Sequence, residues 1–269
     1  MKPKHLFKLL FVAIISIVLL AACGSDDDSS SGSGENVLDS IKESNTMVFG
    51  VKNDTRLFGL KNPSTGDIEG FDIDIANEIA KGILGDDATV EFKEVTSKTR
   101  IPLLQNGEID AIIATMTITD ERKEQVDFSD VYFEAGQSLL VPKGSSIQSI
   151  DDITSDTKVL AVKGSTSADN IRELTDAQVL EFENYSEAFT ALKAGQGDVL
   201  TTDNSILYGM AVEDPDYEVV GGTFTDEPYG IAVKKGQTEL LDEINRVLAE
   251  IHENGTYDEI YNKWFGDME

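Results

Sequence analysis

The feature that most limits what this chain can fold into is its regular alternation of short apolar runs with stretches whose apolar residues recur every three or four positions. Met47–Val51 predicts a strand, and Phe71–Leu84 follows with Ile75, Ile79 and Ile83 at four-residue steps, the stripe of an amphipathic helix. Val90–Phe92 is a short alternating strand. Ser97 fits the N-cap of a helix carrying Ile101 and Leu104, with Pro102 near its start and Asn106-Gly107 closing it, and Ile109–Ala114 then reads as a strand buried on both faces. The second half repeats the scheme: strands at Val159–Val162, Val179–Phe182 and Val199–Leu200, helices at Ser167–Leu174 and Ser186–Ala194. Two helices close the chain, one marked by Leu240, Ile244, Val247, Leu248 and Ile251 and one running from Tyr257 to Phe265, whose aromatic residues are expected to pack rather than to bind. Such alternation indicates an α/β fold with parallel sheets covered by helices.

Within this pattern lies an internal echo. Leu104-Gln105-Asn106-Gly107-Glu108-Ile109-Asp110-Ala111-Ile112 leads into Thr115-Met116-Thr117, and Leu192-Lys193-Ala194-Gly195-Gln196-Gly197-Asp198-Val199-Leu200 leads into Thr201-Thr202-Asp203. Each is a helix ended by glycine, a turn holding an aspartate, an apolar strand, and polar residues at the strand's carboxyl end, where open α/β sheets bind ligands. The same order also fits the ordinary punctuation of α/β chains.

The polar groups at those strand ends have the chemistry of a zwitterion site. Thr119 is a natural N-cap, and Arg122 on the following turn carries a planar guanidinium suited to forking onto a carboxylate. Asp203 offers an anion for an α-ammonium group. Two plainer alternatives stand beside this: Arg122 as a surface residue of the run Asp120-Glu121-Arg122-Lys123-Glu124, and Asp203 as a cap for the helix holding Ile206 and Leu207.

The N-terminus reads as an address. Lys2, Lys4 and Lys8 precede an apolar run from Leu9 to Ala22, which ends in Leu20-Ala21-Ala22-Cys23-Gly24. A charged segment, a short apolar segment and small residues before the cleavage point make a secretory signal over residues 1–22, with lipidation expected at Cys23, the only cysteine. The run is shorter than the roughly 20 residues that span a membrane. Residues 24–36, GSDDDSSSGSGEN, hold no large apolar side chain and read as a flexible linker behind the lipidated Cys23. A formal charge of −28 makes nucleic acid a poor partner, while screening over about 8 Å leaves a cationic cleft free to dominate at short range. The expected location is the outer face of a bacterial cell membrane, and the chain is expected to be a monomer.

Catalytic chemistry finds little support. The two histidines are His5, in the signal, and His252, so no nucleophile and base pair up, and no group of cysteines and histidines suits zinc. Asp72 and Asp74 look like charge stabilisation at a helix start. No metal and no cofactor is expected.

Taken together, Gly70-Phe71-Asp72-Ile73-Asp74-Ile75-Ala76, Ile101–Gly107, Thr117–Arg122, Val126-Asp127-Phe128-Ser129, Gly230-Ile231-Ala232-Val233 and Asn254-Gly255-Thr256-Tyr257 resemble the extracellular solute-binding proteins of family 3, in the family's order over essentially all of Val37–Phe265. These are the polar amino acid receptors of ABC importers, and the likeness leans to the glutamine and glutamate binding lipoproteins. The resemblance implies a two-lobed periplasmic-binding-protein fold of type II. Each lobe is a sheet flanked by helices, with lobe 1 at 37–139 and 229–269, lobe 2 at 140–228, and crossing strands near Ser138–Pro142 and Asp226–Ile231. It also implies roles. Arg122 would grip the ligand's α-carboxylate with Thr117 and the backbone near Thr115, Asp203 would take the α-ammonium, and Thr166 would close over the carboxylate from lobe 2. Asp54 and Lys163 match the side-chain end of glutamine receptors, whereas Ser97 and Arg100 resemble positions that hold a distal carboxylate, so glutamine, glutamate and aspartate all stay open. The function implied is capture of a polar amino acid between two lobes and delivery to a membrane permease. The alternatives are an exported cyclohexadienyl or arogenate-type dehydratase on the same fold, or an amino-acid sensor.

Overall fold

The computed structural model describes residues 36–266, so the expected signal peptide, Cys23 and nearly all of the linker lie outside the described residues. In chain order the elements are α1 (Val37–Ser44), β1 (Thr46–Val51), β2 (Asp54–Thr55), β3 (Gly59–Lys61), β4 (Ile68–Glu69), α2 (Phe71–Leu84), β5 (Thr89–Glu94), α3 (Arg100–Gln105), β6 (Ala111–Ile112), α4 (Asp120–Lys123) and β7 (Val126–Ala135). There follow β8 (Gln137–Pro142), β9 (Lys158–Val162), α5 (Thr166–Leu174), β10 (Gln178–Phe182), α6 (Tyr185–Lys193), β11 (Val199–Asp203), α7 (Asn204–Glu213), β12 (Tyr217–Val220), β13 (Glu227–Lys234), α8 (Thr238–Glu253) and α9 (Thr256–Phe265).

Two five-stranded sheets organise these elements, in the orders β5-β1-β6-β13-β7 and β10-β9-β11-β8-β12, beside a small antiparallel sheet β2-β3-β4. Each large sheet has three parallel strands followed by two antiparallel ones. The sequence echo is a structural one. Gly107 and Gly195 stand at φ +73° and +70°, each ending its helix in the left-handed region that glycine enters without cost. Asp110 and Asp198 then do the same work: Asp110 Oδ2 accepts from Val48 N at 2.8 Å, and Asp198 Oδ2 accepts from Lys158 N at 2.8 Å. Each aspartate ties the start of a short strand to its parallel neighbour. Of the expected strand Ile109–Ala114, only Ala111–Ile112 is laddered on both sides, because the chain leaves the sheet at once to build the polar segment beyond it.

The chain changes sheet at Gly136 and returns between Val220 and Glu227. Residues 137–139, expected with the first lobe, therefore ladder in the second sheet, and Glu227 and Pro228, expected with the second, ladder in the first. The reason lies at Gly136, where a Cβ would stand 2.7 Å from the side chain of Thr223 and from Thr225 O. The outgoing and returning chains touch at that residue, and only glycine lets them.

The α2 stripe buries Phe71, Ile75 and Ile79, and Asp72 and Asp74 sit in its positive first turn. Phe71 and Phe58 enter an aromatic cluster with Phe133, Tyr229 and Phe265, with centroid separations of 5.1 to 6.1 Å. The C-terminal aromatics pack, as expected, and Trp264 Nε1 also donates to Asp74 at 2.7 Å. The start of α2 is capped by backbone: Phe71 N donates to Leu57 O at 2.7 Å and Asp72 N to Phe58 O at 3.1 Å. That approach needs a bare residue at Gly70, whose φ is +156° and whose Cβ would stand 2.0 Å from Phe58 O. Gly70→Ala is expected to lower stability by roughly 3 kcal/mol, since backbone must move to admit the methyl. Urea unfolding is the check, and a midpoint equal to that of the parent would refute it.

Candidate functional site

Among the described residues six charged residues are buried, Lys52, Asp72, Arg100, Arg122, Asp203 and Glu227, and five of them come from strand ends and helix starts. Among the described residues none of the six makes an ion pair. Each is held by neutral dipoles instead.

Arg122 is not a surface residue: it is 9% exposed, on a short helix whose N-cap Thr119 accepts from Arg122 N at 3.2 Å. Its Nη1 donates to Thr117 O at 2.7 Å, and its Nη2 reaches the other half of the chain to donate to Gly164 O at 3.2 Å. Arg100 opens α3, with Nη1 donating to Ala114 O at 2.8 Å, while its Nε is buried with no protein partner. Burial pushes the Arg100 guanidinium down to about 9, with the charge of Arg122 beside it as the next cause. Ser97 is buried but does not cap α3. Its hydroxyl accepts from Lys52 Nζ at 2.8 Å, and that ammonium stands 5.0 Å above the Tyr185 ring. Burial, then Arg100, brings Lys52 down to about 7.

Asp203 occupies the N-cap position of α7 but makes no side-chain cap bond. Its Oδ2 accepts from Tyr229 OH at 2.5 Å, and its Oδ1 is buried without a protein partner. Burial, and next the neighbouring Glu227, raise the Asp203 carboxyl to about 7. Thr166 Oγ1 donates to Glu227 Oε2 at 2.7 Å and lies 3.5 Å from Thr117 Oγ1, a second contact between the two halves. Thr115 has φ +47°, an uncommon conformation for a residue with a side chain, and its Oγ1 is buried without a partner. Asp72 Oδ2 accepts from Thr115 N at 3.0 Å and Oδ1 from Tyr132 OH at 2.9 Å, which gives that strained turn its anchor.

The structure thus brings together Ser97, Arg100, Thr115, Thr117, Arg122, Thr166 and Asp203. Lys163 is not among them, because its ammonium turns outward onto the carboxylate of Glu183. Asp54 stands at the rim, its Oδ2 accepting from Tyr185 N at 2.7 Å and Ser186 N at 3.3 Å. Sequence reasoning missed Lys52, Tyr185, Glu227 and Tyr229, and read Asp72 as a helix charge only. The one available signal was Lys52 itself, a lysine directly after the run Met47–Val51, which holds no polar side chain. Among the described residues no group of His, Cys, Asp and Glu is arranged to hold a metal ion. The arrangement holds the cationic donors Arg100 and Arg122 and the anionic acceptor Asp203 all buried, which suits binding of a zwitterion.

Comparison with known proteins agrees. Residues 47–267 match the bacterial extracellular solute-binding proteins, family 3. The ABC transporter glutamine-binding protein of Bacillus subtilis (strain 168) is 64% identical over 97% of this chain and 97% of its own length. A glutamine-binding protein from Geobacillus stearothermophilus is 57% identical over 87% of this chain and 95% of its own. In structure, the fold is similar to an ancestral arginine-binding protein bound to glutamine, with TM-score 0.77 and 46% identity over 82% of this chain and 98% of that one. All three are named for binding, none for a reaction.

The raised Asp203 carboxyl has a consequence for stability. With its pKa near 7 in the fold against 3.8 ordinarily, the folded chain holds this proton more tightly than the unfolded chain, so ionisation of Asp203 weakens folding as pH rises through that interval. Asp203→Asn is therefore expected to gain stability relative to the parent, without ligand, at pH 8 but not at pH 4, by up to about 4 kcal/mol. Paired thermal melts across that range test it, and a pH-independent difference would refute it.

Proposed function

Because this chain belongs to the bacterial extracellular solute-binding proteins of family 3, we propose that its cleft captures free glutamine and delivers it to the permease subunits of an ABC importer. The observation that carries this is the placement of Arg122 and Asp203: buried, opposite in charge, drawn from the two halves of the chain, and bonded to dipoles rather than to each other. A free amino acid supplies both missing partners. Its α-carboxylate goes to Arg122 with Thr117 and Thr166, and its α-ammonium to Asp203 Oδ1. The far end of the ligand meets Arg100, Lys52, Ser97 and Thr115.

Charge selects among side chains. Counted as fully ionised, the buried cations Lys52, Arg100 and Arg122 equal in number the buried acids Asp72, Asp203 and Glu227, and a ligand of zero net charge keeps that count even. Glutamate would bring one extra negative charge into a desolvated space, where an unmatched charge is expensive. Glutamine fits better, with glutamate the competitor through Arg100 and Lys52. The reading makes the protein a receptor rather than an enzyme.

Capture proceeds by closure. The bonds from Arg122 to Gly164 and between Thr117 and Thr166 cross between the halves, so contacts to Asp203 and Thr166 become available to a ligand on Arg122 only when the halves meet. A ligand shifts such an equilibrium by its differential affinity for the two states. The N-terminal segment provides the address: export, then a lipid on Cys23 that tethers the receptor outside the membrane. Among the described residues no helix is long and apolar enough to cross a membrane.

Thermal shift against the twenty amino acids tests the ligand. Glutamine is expected to raise the melting temperature most, because a ligand at about 1,000 times its Kd stabilises by about 4 kcal/mol. A chain indifferent to all twenty would end the proposal. Arg122→Ala leaves the ligand carboxylate without its partner and is expected to weaken glutamine binding by roughly 2–5 kcal/mol. Titration calorimetry giving near-parental affinity would remove Arg122 from the site.

A further inference from the structure

The bonds of Asp54 run to the protein and not to the cleft. Asp54 lies on β2, in the small sheet with β3 and β4, whereas α6 and α7 belong with the second large sheet. Its Oδ2 takes the N–H groups of Tyr185 and Ser186, and its Oδ1 accepts from Thr55 Oγ1 at 3.1 Å. The first N–H groups of a helix have no partner within it, and a carboxylate there also meets the positive end of the helix dipole. Helix α6 already has its own cap, Asn184 Oδ1 accepting from Glu187 N at 2.9 Å, so Asp54 supplies the two bonds that the cap leaves open.

A second contact lies two residues further on. Arg56 Nε stands 3.9 Å from Glu213 Oε2 at the end of α7. The backbone of Arg56 also runs close over Gly209, in the middle of α7, where a Cβ would stand 3.0 Å from Arg56 O. Glycine in a helix interior is unfavourable by about 1 kcal/mol relative to alanine, so a bare position here answers to the approach of Arg56 and not to the helix.

We propose that Asp54–Arg56 is a closure latch: Asp54 binds the start of α6 and Arg56 seats on the Gly209 notch of α7, holding the halves together and setting how long the ligand stays, without reading the ligand's side chain. The latch rests on the closing cleft proposed above. It also positions Tyr185, because the N–H that Asp54 holds belongs to the residue whose ring lies under Lys52. This departs from the role that the family resemblance implies for Asp54, at the side-chain end of the ligand.

Two variants of the full chain test the latch, with stopped-flow dissociation, equilibrium affinity for glutamine and glutamate, and small-angle scattering with and without glutamine. Asp54→Ala is expected to speed glutamine release by about 10- to 100-fold, the equivalent of losing charge-assisted hydrogen bonds, with little change in association. It should weaken glutamine and glutamate by the same factor. Gly209→Ala, remote from the cleft, is expected to raise the melting temperature of the ligand-free chain while weakening glutamine by about 10-fold, because the methyl favours the helix and obstructs the closed contact. A changed preference between the two ligands in Asp54→Ala would make Asp54 a ligand contact and overturn the latch. So would parental release rates in both variants while the parent still compacts with glutamine. A parent that binds glutamine without compacting overturns the closing cleft itself, and the latch with it.

Discussion

Everything in this structure turns on a set of buried charges that are kept apart from one another. Arg122 and Arg100 donate to backbone carbonyls, Lys52 to a serine hydroxyl, and Asp72, Asp203 and Glu227 accept from hydroxyl, amide and backbone donors. A buried charge without hydrogen bonds is costly, and one neutralised by an opposite charge is no longer available to a ligand. Holding each charge with neutral dipoles avoids both outcomes. The cost appears as displaced proton affinities, with burial bringing Lys52, Asp72 and Asp203 all to about 7.

Placing those charges requires the repeated strand end. In each half a glycine ends the helix, an aspartate fixes the start of a short strand on its parallel neighbour, and the chain leaves the sheet carrying its polar residues. The two copies are not used alike. After β6 the chain runs on through Thr115, anchored by Asp72, before it reaches Arg122; β11 delivers Asp203 at its last residue. One half therefore offers a guanidinium at the end of a long, strained segment, and the other a carboxylate at the start of a helix.

Much of the fold was legible from periodicity. The helix Phe71–Leu84 lies where its stripe of isoleucines puts it, and the echo of glycine and aspartate marked the two equivalent strand starts, because both depend on local spacing. Thr119 was legible as a cap for the same reason. Side-chain direction was less so. Nothing in the sequence distinguishes Asp203 as a cap from Asp203 as a cleft residue; the difference comes from Tyr229, 26 positions away, which takes its Oδ2. Lys163 inverts expectation, because Glu183 draws it outward, while Lys52, for which the sequence held no expectation, is enclosed by Ser97 and Tyr185.

What the order of residues determined on its own was the α/β layering, the doubled strand end and the types of charge at each, since these follow from hydrophobic period, turn chemistry and local capping. Which charges are buried, which meet across the gap, and which are turned away to solvent was decided only by tertiary structure. Those outcomes depend on partners tens to more than a hundred positions distant, such as Asp54 with Tyr185, and on a few bare contacts such as Gly136 and Gly209, where one chain passes over another with no room for a methyl group.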